Sequence, residues 1–212
     1  MLTFTSGDFI AKPFNLTYTN LDELAQAAFK SSMVLSRLAA HPTFFSDYER
    51  GCAGKCAGFC TNKTQKCEII KKAIIKTLQL PDTLVWEVHK QTAEALDFVG
   101  ILRLSRITVG CDATCHYFFF DGKLNDKTDL LKEWKTWAFG DHEGWPALHR
   151  ITIQIPSDAF ALARHAQKHL GFGGQFSHTY KGNTISVEGV TTDAVLRNGQ
   201  WLDVLQLGCI NG

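Results

Sequence analysis

The chain has 212 residues, of which 45% are hydrophobic and 20% are charged, a composition typical of a globular domain with one buried core and not of a disordered segment. Its 22 basic and 21 acidic residues leave a formal net charge of +1, so charge provides no general attraction to nucleic acid or to anionic lipid. Apolar runs are too short to span a membrane and the first residues lack a secretory pattern, so we expect a cytoplasmic protein without membrane insertion.

The first part of the chain predicts a short strand followed by two helices. Residues 14–19 favour a strand, and Asn20 is suited to cap a helix over residues 21–38, where apolar residues recur every three or four positions. A second amphipathic helix is predicted over residues 68–80, with Pro81 ending it.

A cysteine-rich and glycine-rich segment at residues 51–67 separates these two helices. Cys52, Cys56 and Cys60 recur every four residues, and Cys67 follows. In a regular helix Cys52 and Cys60 would lie ~12 Å apart, too far to share one ion through metal–sulfur bonds of about 2.3 Å. Two interpretations stay open: a closely packed small-residue helix with inert thiols, or a folded loop that holds a structural metal ion.

The middle of the chain predicts three strands and a helix. Residues 84–90 and 98–107 alternate apolar and polar side chains as in a hairpin, and residues 115–120 form a third, aromatic strand. A helix is predicted over residues 126–139, with Leu130, Leu131, Trp134 and Trp137 on its inner face.

Residues 148–172 are the most regular stretch of the sequence. Ile151, Ile153 and Ile155 alternate with polar residues and predict a central strand. The helix predicted over residues 160–170 ends at Gly171, where a residue that tolerates positive φ is favoured. A final strand is predicted over residues 200–207.

The order of these elements, together with short local motifs, resembles the GNAT acetyltransferase superfamily, and within it the ribosomal-protein N-terminal acetyltransferases. The motifs are Val99-Gly100, His149-Arg150-Ile151, Leu170-Gly171-Phe172 and Gly199-Gln200-Trp201-Leu202-Asp203. The resemblance implies an α/β (α+β) fold in one domain over residues 1–212, with an insertion at about 51–67. It implies a mixed central sheet of about seven strands flanked by helices, with acyl-CoA between the fourth and fifth predicted strands.

The segment where the superfamily cradles the CoA pyrophosphate departs from the pattern that this resemblance implies. Residues 121–126 contain one glycine and two aspartates, so Gly122, Lys123 and Asn125 are the remaining, degenerate candidates for cofactor binding. The resemblance implies that Phe160 stands where the superfamily commonly has an asparagine. It also implies that Gln167 stands where the superfamily has a tyrosine that acts as general acid. We therefore expect weak or absent binding of acetyl-CoA.

Three side chains are candidates for proton transfer. Glu87 on the second strand is placed to act as a general base, and His116 and His165 carry imidazoles, the side chain suited to proton transfer near neutral pH. His165 and His169 lie one helical turn apart, a spacing that also suits a metal ion. Histidines at such positions are more often exposed or hydrogen-bonded than catalytic, so a structural role stays open for each.

Competing functions follow from the resemblance and its departures. The first is a non-catalytic binding or structural protein with protein partners, of the kind found among tailed-phage virion components, located in the host cytoplasm or the virion. The alternative is an active acyl-CoA-dependent N-acyltransferase. A metal or redox sensor built on residues 52–67 is a third hypothesis, which depends on that segment alone.

The cysteine-rich segment yields a direct test. If Cys52, Cys56, Cys60 and Cys67 act together, zinc is the expected ion because it favours four thiolate ligands in tetrahedral geometry, and an iron–sulfur cluster is the second choice. Metal analysis of the purified protein should then find about one zinc ion per chain. A content below about half an equivalent would leave inert thiols as the explanation.

Overall fold

The computed structural model describes residues 3–15, 21, 22, 71, 75, 81–119, 123–197 and 200–212. Leu21, Asp22, Lys71 and Ile75 are helical, and Lys71 forms an ion pair with Asp22. The described elements are, in chain order, β1 (Phe4–Ser6), β2 (Phe9–Pro13), β3 (Leu84–Gln91), β4 (Leu96–Thr108), β5 (Asp112–Phe119), a 3-10 turn (Asn125–Lys127), α1 (Thr128–Phe139), β6 (Arg150–Pro156), α2 (Phe160–Leu170), β7 (Phe176–Tyr180), β8 (Asn183–Val187), β9 (Gly189–Arg197) and β10 (Gln200–Ile210).

Eight of the strands form one mixed sheet in the order β1-β2-β3-β4-β5-β6-β10-β9, and β7 pairs only with β8 in a separate hairpin. The neighbours are antiparallel except β5 and β6, which run parallel. The predicted hairpin of β3 with β4 and the central position of β6 are both confirmed. The fold is therefore the expected mixed α+β domain with helices against a large sheet.

Helices α1 and α2 pack on one face of this sheet. Ile151, Ile153 and Ile155 of β6 are buried together with Ala163 and Ala166 of α2, as the sequence periodicity predicts. The inward residues predicted for α1 are also buried, and the ring of Trp137 meets that of Trp86 on β3 edge to face at 5.4 Å. Among the described helices, none has the length and apolarity that crossing a bilayer requires.

Gly171 ends α2 in the left-handed conformation, with φ of 73°. An L side chain is unfavourable at this φ, which explains why glycine stands there. The backbone N–H of Gly171 donates to the carbonyl oxygen of Ala166, closing the last turn. The helix end predicted from the sequence is confirmed.

The two faces of the sheet differ in chemistry because side chains alternate along each strand. Trp86, Leu102, Cys115 and Ile153 lie on the face that carries α1 and α2. The intervening residues of β3, β4 and β5 form the opposite face and include buried polar groups, which are Glu87, Arg103, Ser105, Thr114 and His116. We call this opposite face the polar face.

Two parts of the sheet differ from the sequence prediction. The first strands lie at Phe4–Ser6 and Phe9–Pro13, so the strand predicted for residues 14–19 is wrong at residues 14 and 15, and residues 16–20 lie outside the described part of the chain. Pro13 has no N–H to continue the ladder. The predicted order has two strands after the last helix, one of them without bounds, whereas the structure has four, because the serine-, threonine- and glycine-rich sequence of β7, β8 and β9 has little apolar alternation.

The buried position of Ile153 gives a stability test. Its side chain is 2% exposed between β5 and β10, so Ile153→Ala should lower the free energy of unfolding by about 2–5 kcal/mol through lost contacts and a residual cavity. Ile210 on β10 is 60% exposed, so Ile210→Ala should change it by less than about 0.5 kcal/mol. Urea denaturation of both variants measures the difference, and equal effects would contradict the central position of Ile153.

Candidate functional site

The parallel strands β5 and β6 pair over only part of their length. Their register joins Asp112–Cys115 to residues 150–153 and stops at the pair Cys115 and Ile153. Beyond that pair β5 stays joined to β4 as far as Phe119, and β6 stays joined to β10 as far as Pro156. The two strands therefore diverge at their carboxyl ends, and the sheet opens between them.

Both helices begin at this open end. Helix α1 follows the carboxyl end of β5, and α2 follows that of β6, where the N–H of Ala159 donates to the carbonyl oxygen of Pro156. A cleft of about 460 Å³ lies between the turn that precedes α1 and the outer surface of α2. Its lining residues are Asn125, Phe160, Ala161, Arg164, His165, Lys168, His169 and Asn183.

This cleft is basic. Arg164 and Lys168 lie one helical turn apart on α2, and no aspartate or glutamate is among the described residues that line the cleft. The guanidinium of Arg164 donates to Oδ1 of Asn183 at 2.7 Å and lies 5.6 Å from the centre of the Phe160 ring. These contacts hold one cation in place at the edge of the cleft, an arrangement suited to phosphate groups.

His165 connects the two helices at the wall of the cleft. Its Nε2 is 3.1 Å from Oγ1 of Thr128, the first residue of α1, with donor and acceptor set by the tautomer. Its ring also lies 6.5 Å from that of Tyr117 on β5. The structure thus brings the predicted residues Asn125 and His165 together in one cleft.

The other two predicted proton-transfer residues lie on the polar face, across the sheet from His165. Glu87 is ion-paired with Lys12 through Oε1 at 3.2 Å, and Nε2 of His89 lies 3.4 Å from the same oxygen. His116 on β5 is the first residue beyond the last pair with β6, at the point where the sheet opens. The three candidates therefore do not form one cluster.

Arg103 lies next to His116 on the polar face, since the two residues are register partners of β4 and β5. Its side chain is 4% exposed, its Nε has no hydrogen-bond partner, and no carboxylate of the described residues forms an ion pair with it. Burial, with a smaller contribution from the charge of Arg106, lowers the pKa of the Arg103 guanidinium to about 10. A cation is thus buried at the centre of the face without a countercharge from the described chain.

Hydroxyl groups continue the polar face from Arg103 toward β6. Ser105 Oγ donates to the carbonyl oxygen of Thr114 at 3.4 Å, and the hydroxyls of Thr114 and Thr152 are 3.4 Å apart. These three side chains cross β4, β5 and β6 in a row. They give the buried cation a polar surrounding.

The remaining predicted residues are placed as follows. Lys123 is exposed, and its carbonyl oxygen accepts a hydrogen bond from the fully buried Lys127 at 3.0 Å. Asp126, one of the two aspartates of residues 121–126, is exposed and does not line the cleft. Gln167 donates to Ser186 on β8. Gly122 and the four cysteines predicted to bind zinc lie outside the described residues, so those predictions stay open.

Comparison with solved structures shows the fold. RimL, a ribosomal L7/L12 alpha-N-protein acetyltransferase, matches with a TM-score of 0.60 and 14% identity over 99% of this chain and 94% of its own. Vibrio cholerae spermidine N-acetyltransferase, solved with CoA and spermine, matches with a TM-score of 0.57 and 11% identity over 97% of each chain. MccE, the microcin C7 self immunity acetyltransferase solved with acetyl-CoA and AMP, matches with a TM-score of 0.60 and 16% identity over 97% of this chain and 93% of its own.

The protein has the GNAT fold. No protein-family model matches the sequence, and no curated protein matches it either. The GNAT fold therefore rests on structure, at identities too low to carry over an activity. The divergence of β5 from β6 occurs where the resemblance placed acyl-CoA.

Two features of this GNAT-fold protein were missed by the sequence analysis. Alternation of apolar and polar residues cannot distinguish a buried polar face from an exposed one, so the pattern of residues 98–107 does not identify Arg103. Arg164 and Lys168 did carry a signal, because they form a second pair at four-residue spacing beside His165 and His169. Charge mapped on the helix would have found the basic cleft.

The buried cation leads to a pH-dependent stability prediction. Burial holds the pKa of Arg103 at about 10, well below its ordinary value, so at pH 7 the charged side chain destabilises the fold by an amount on the order of 3 kcal/mol. Arg103→Met should therefore raise the free energy of unfolding at pH 7. Because the folded protein loses this proton near pH 10 and the unfolded chain only at a higher pH, the advantage of the variant should shrink above about pH 10.

Chemical denaturation of the wild type and Arg103→Met between pH 7 and 11 measures this difference. Arg106→Met is the comparison variant: Arg106 is exposed on the same strand, so its removal should change the stability much less, through its smaller effect on the pKa of Arg103. A less stable Arg103→Met, with a difference independent of pH, would show that the guanidinium is compensated in the fold.

Proposed function

We propose that the protein is an acyl-CoA-dependent N-acyltransferase that binds the phosphates of CoA in the basic cleft. The observation that carries this proposal is the coincidence of two features at one end of the sheet. The opening between β5 and β6 and the cleft lined by Asn125, Arg164 and Lys168 adjoin the same strand ends. A phosphate-bearing carrier and an extended arm can occupy them together.

The open edges of the two strands suit an extended, amide-containing arm. Residues 116–119 of β5 and 154–156 of β6 do not pair with each other, so their facing backbone groups can hydrogen-bond to a ligand as an added strand would. Acyl-CoA, when bound, supplies the activated thioester. Two of the similar structures were solved with CoA or acetyl-CoA, which supports this choice of ligand.

We assign His116 the role of general base in this proposal. It is buried on the polar face where the sheet opens, so a proton from an incoming amine can reach its ring. Glu87 lies two strands away on β3, paired with Lys12, and contributes negative charge to the face. His165 lies on the other side of the sheet and positions α1 against α2 through Thr128.

A second candidate is a non-catalytic GNAT-fold protein with a degenerate cofactor site that serves protein binding, as in a virion component. Specific contacts favour it. Gln167, at the place of the acid tyrosine, is held by Ser186, and the N–H groups of Lys127 and Thr128 already donate to the carbonyl oxygens of Leu124 and Asn125. Fewer amides then remain for a pyrophosphate.

Isothermal titration with acetyl-CoA tests the proposal. The wild type should bind, and the double variant Arg164→Ala/Lys168→Ala should bind at least about tenfold more weakly, because each lost charge-assisted hydrogen bond costs about 1.5–3 kcal/mol. Lys132→Ala is the matched control, since this exposed lysine of α1 pairs with Asp129 outside the cleft. Its affinity should equal that of the wild type.

Titration followed by turnover separates the two candidates. Absence of binding by the wild type would remove the acyltransferase proposal and leave the non-catalytic candidate. Binding that the double variant retains in full would place acetyl-CoA elsewhere. With binding established, release of the CoA thiol in the presence of an amine should depend on His116, and His116→Ala should lower kcat about 100-fold or more.

A further inference from the structure

Arg103 is the described group that the proposed function leaves unexplained. Native structures bury a charge when it is paired, because an unpaired ion in the interior loses its hydration without compensation. Here the guanidinium is 4% exposed, and Glu87 on the same face is engaged with Lys12 instead. A buried cation retained at such a cost marks a place where an anion binds.

The position of Arg103 relative to the opening limits the size of the ligand. Its register partner His116 lies at the point where β5 leaves β6, and neighbouring strands are about 4.8 Å apart. An anion at Arg103 therefore lies within about 5–10 Å of the place where the thioester would meet an amine. In the ligand, only a few covalent bonds can therefore separate the anionic group from the reacting amine.

The polar face also limits the charge of the ligand. One guanidinium neutralises one negative charge, and the neighbouring side chains Ser105 and Thr114 are uncharged. A doubly charged phosphate would keep one charge uncompensated on a face that already holds the Glu87 carboxylate. A carboxylate matches one guanidinium in charge and in geometry.

We infer that the acceptor of the acyl group is a short amino acid whose carboxylate binds Arg103 while its amine lies beside His116. This inference rests on the proposed function and specifies its acceptor. In the transfer, the amine nitrogen bonds to the thioester carbonyl carbon and the carbon–sulfur bond breaks. The proton lost by the amine passes through His116 to the CoA thiolate.

The first experiment measures carboxylate binding without acyl-CoA. β-Alanine and γ-aminobutyrate are compared with n-propylamine and n-butylamine, which replace the carboxylate by a methyl group. The amino acids should raise the melting temperature of the wild type and the amines should not. Arg103→Met should lose the shift, Arg106→Met should keep it, and Arg103→Lys, which retains the charge without the planar fork, should keep part of it.

The second experiment measures acceptor choice in the presence of acetyl-CoA. The wild type should show a kcat/KM for the amino acids at least about tenfold above that for the matched amines, the effect of one charge-assisted hydrogen bond. Arg103→Met should abolish this ratio while its KM for acetyl-CoA stays unchanged. A merely structural role of Arg103 would lower both rates together and preserve the ratio.

The outcomes separate the inference from the proposed function. Equal turnover of amines and amino acids by the wild type would overturn the inference and leave the acyltransferase intact. Thermal shifts that persist in Arg103→Met would also overturn it, because the carboxylate would then bind elsewhere. A third outcome is that Arg103→Met loses carboxylate binding while the wild type fails to bind acetyl-CoA. This result would support the anion site at Arg103 and reject the acyltransferase proposal.

Discussion

The short pairing between β5 and β6 is the constraint on which the rest of the structure depends. Four register pairs hold the two strands together, and each strand then follows its other neighbour. Because α1 and α2 start where these strands end, the same divergence sets the spacing of the helix ends and creates the basic cleft. Within the described chain, residues 116–119 of β5 and 154–156 of β6 do not pair with each other, so the sheet is interrupted there.

The chemistry of the two faces explains how the protein combines stability with a polar site. The face under α1 and α2 is filled with aromatic and aliphatic side chains, including Trp86 and Trp137, whose burial supplies the stabilisation. The polar face buries Arg103 and His116 at a free-energy cost. A fold tolerates such a cost when its opposite face is well packed, and functional sites are where such costs are commonly found.

The sequence was sufficient for those elements whose pattern is local. Ile151, Ile153 and Ile155 alternate over a short run, and Gly171 marks a helix end, so α2 was predicted with its observed bounds and β6 to within one residue at each end. The hairpin of β7 and β8 was missed although Lys181 and Gly182 both adopt positive φ, because a two-residue turn is recognised most readily through Asn-Gly or Asp-Gly. The site was harder to predict, since Arg103 meets His116 through strand pairing and Arg164 meets Asn125 across the cleft. Such contacts join residues that are far apart in the sequence, so they become visible only when the order and pairing of the strands are known.

The separation of the two faces has a consequence for how this protein can change over evolutionary time. Ser105, Thr114 and Thr152 lie in a row on one side of the sheet, while Leu104, Cys115 and Ile153 next to them belong to the core on the other side. Substitutions of the hydroxyl residues alter the lining of the polar face without opening a cavity beneath the helices. Selection on the molecule that is bound and selection on foldedness therefore act on different residues of the same strands. Under the proposed function, a lineage with this arrangement can exchange one small acceptor for another while its thermodynamic stability stays nearly constant.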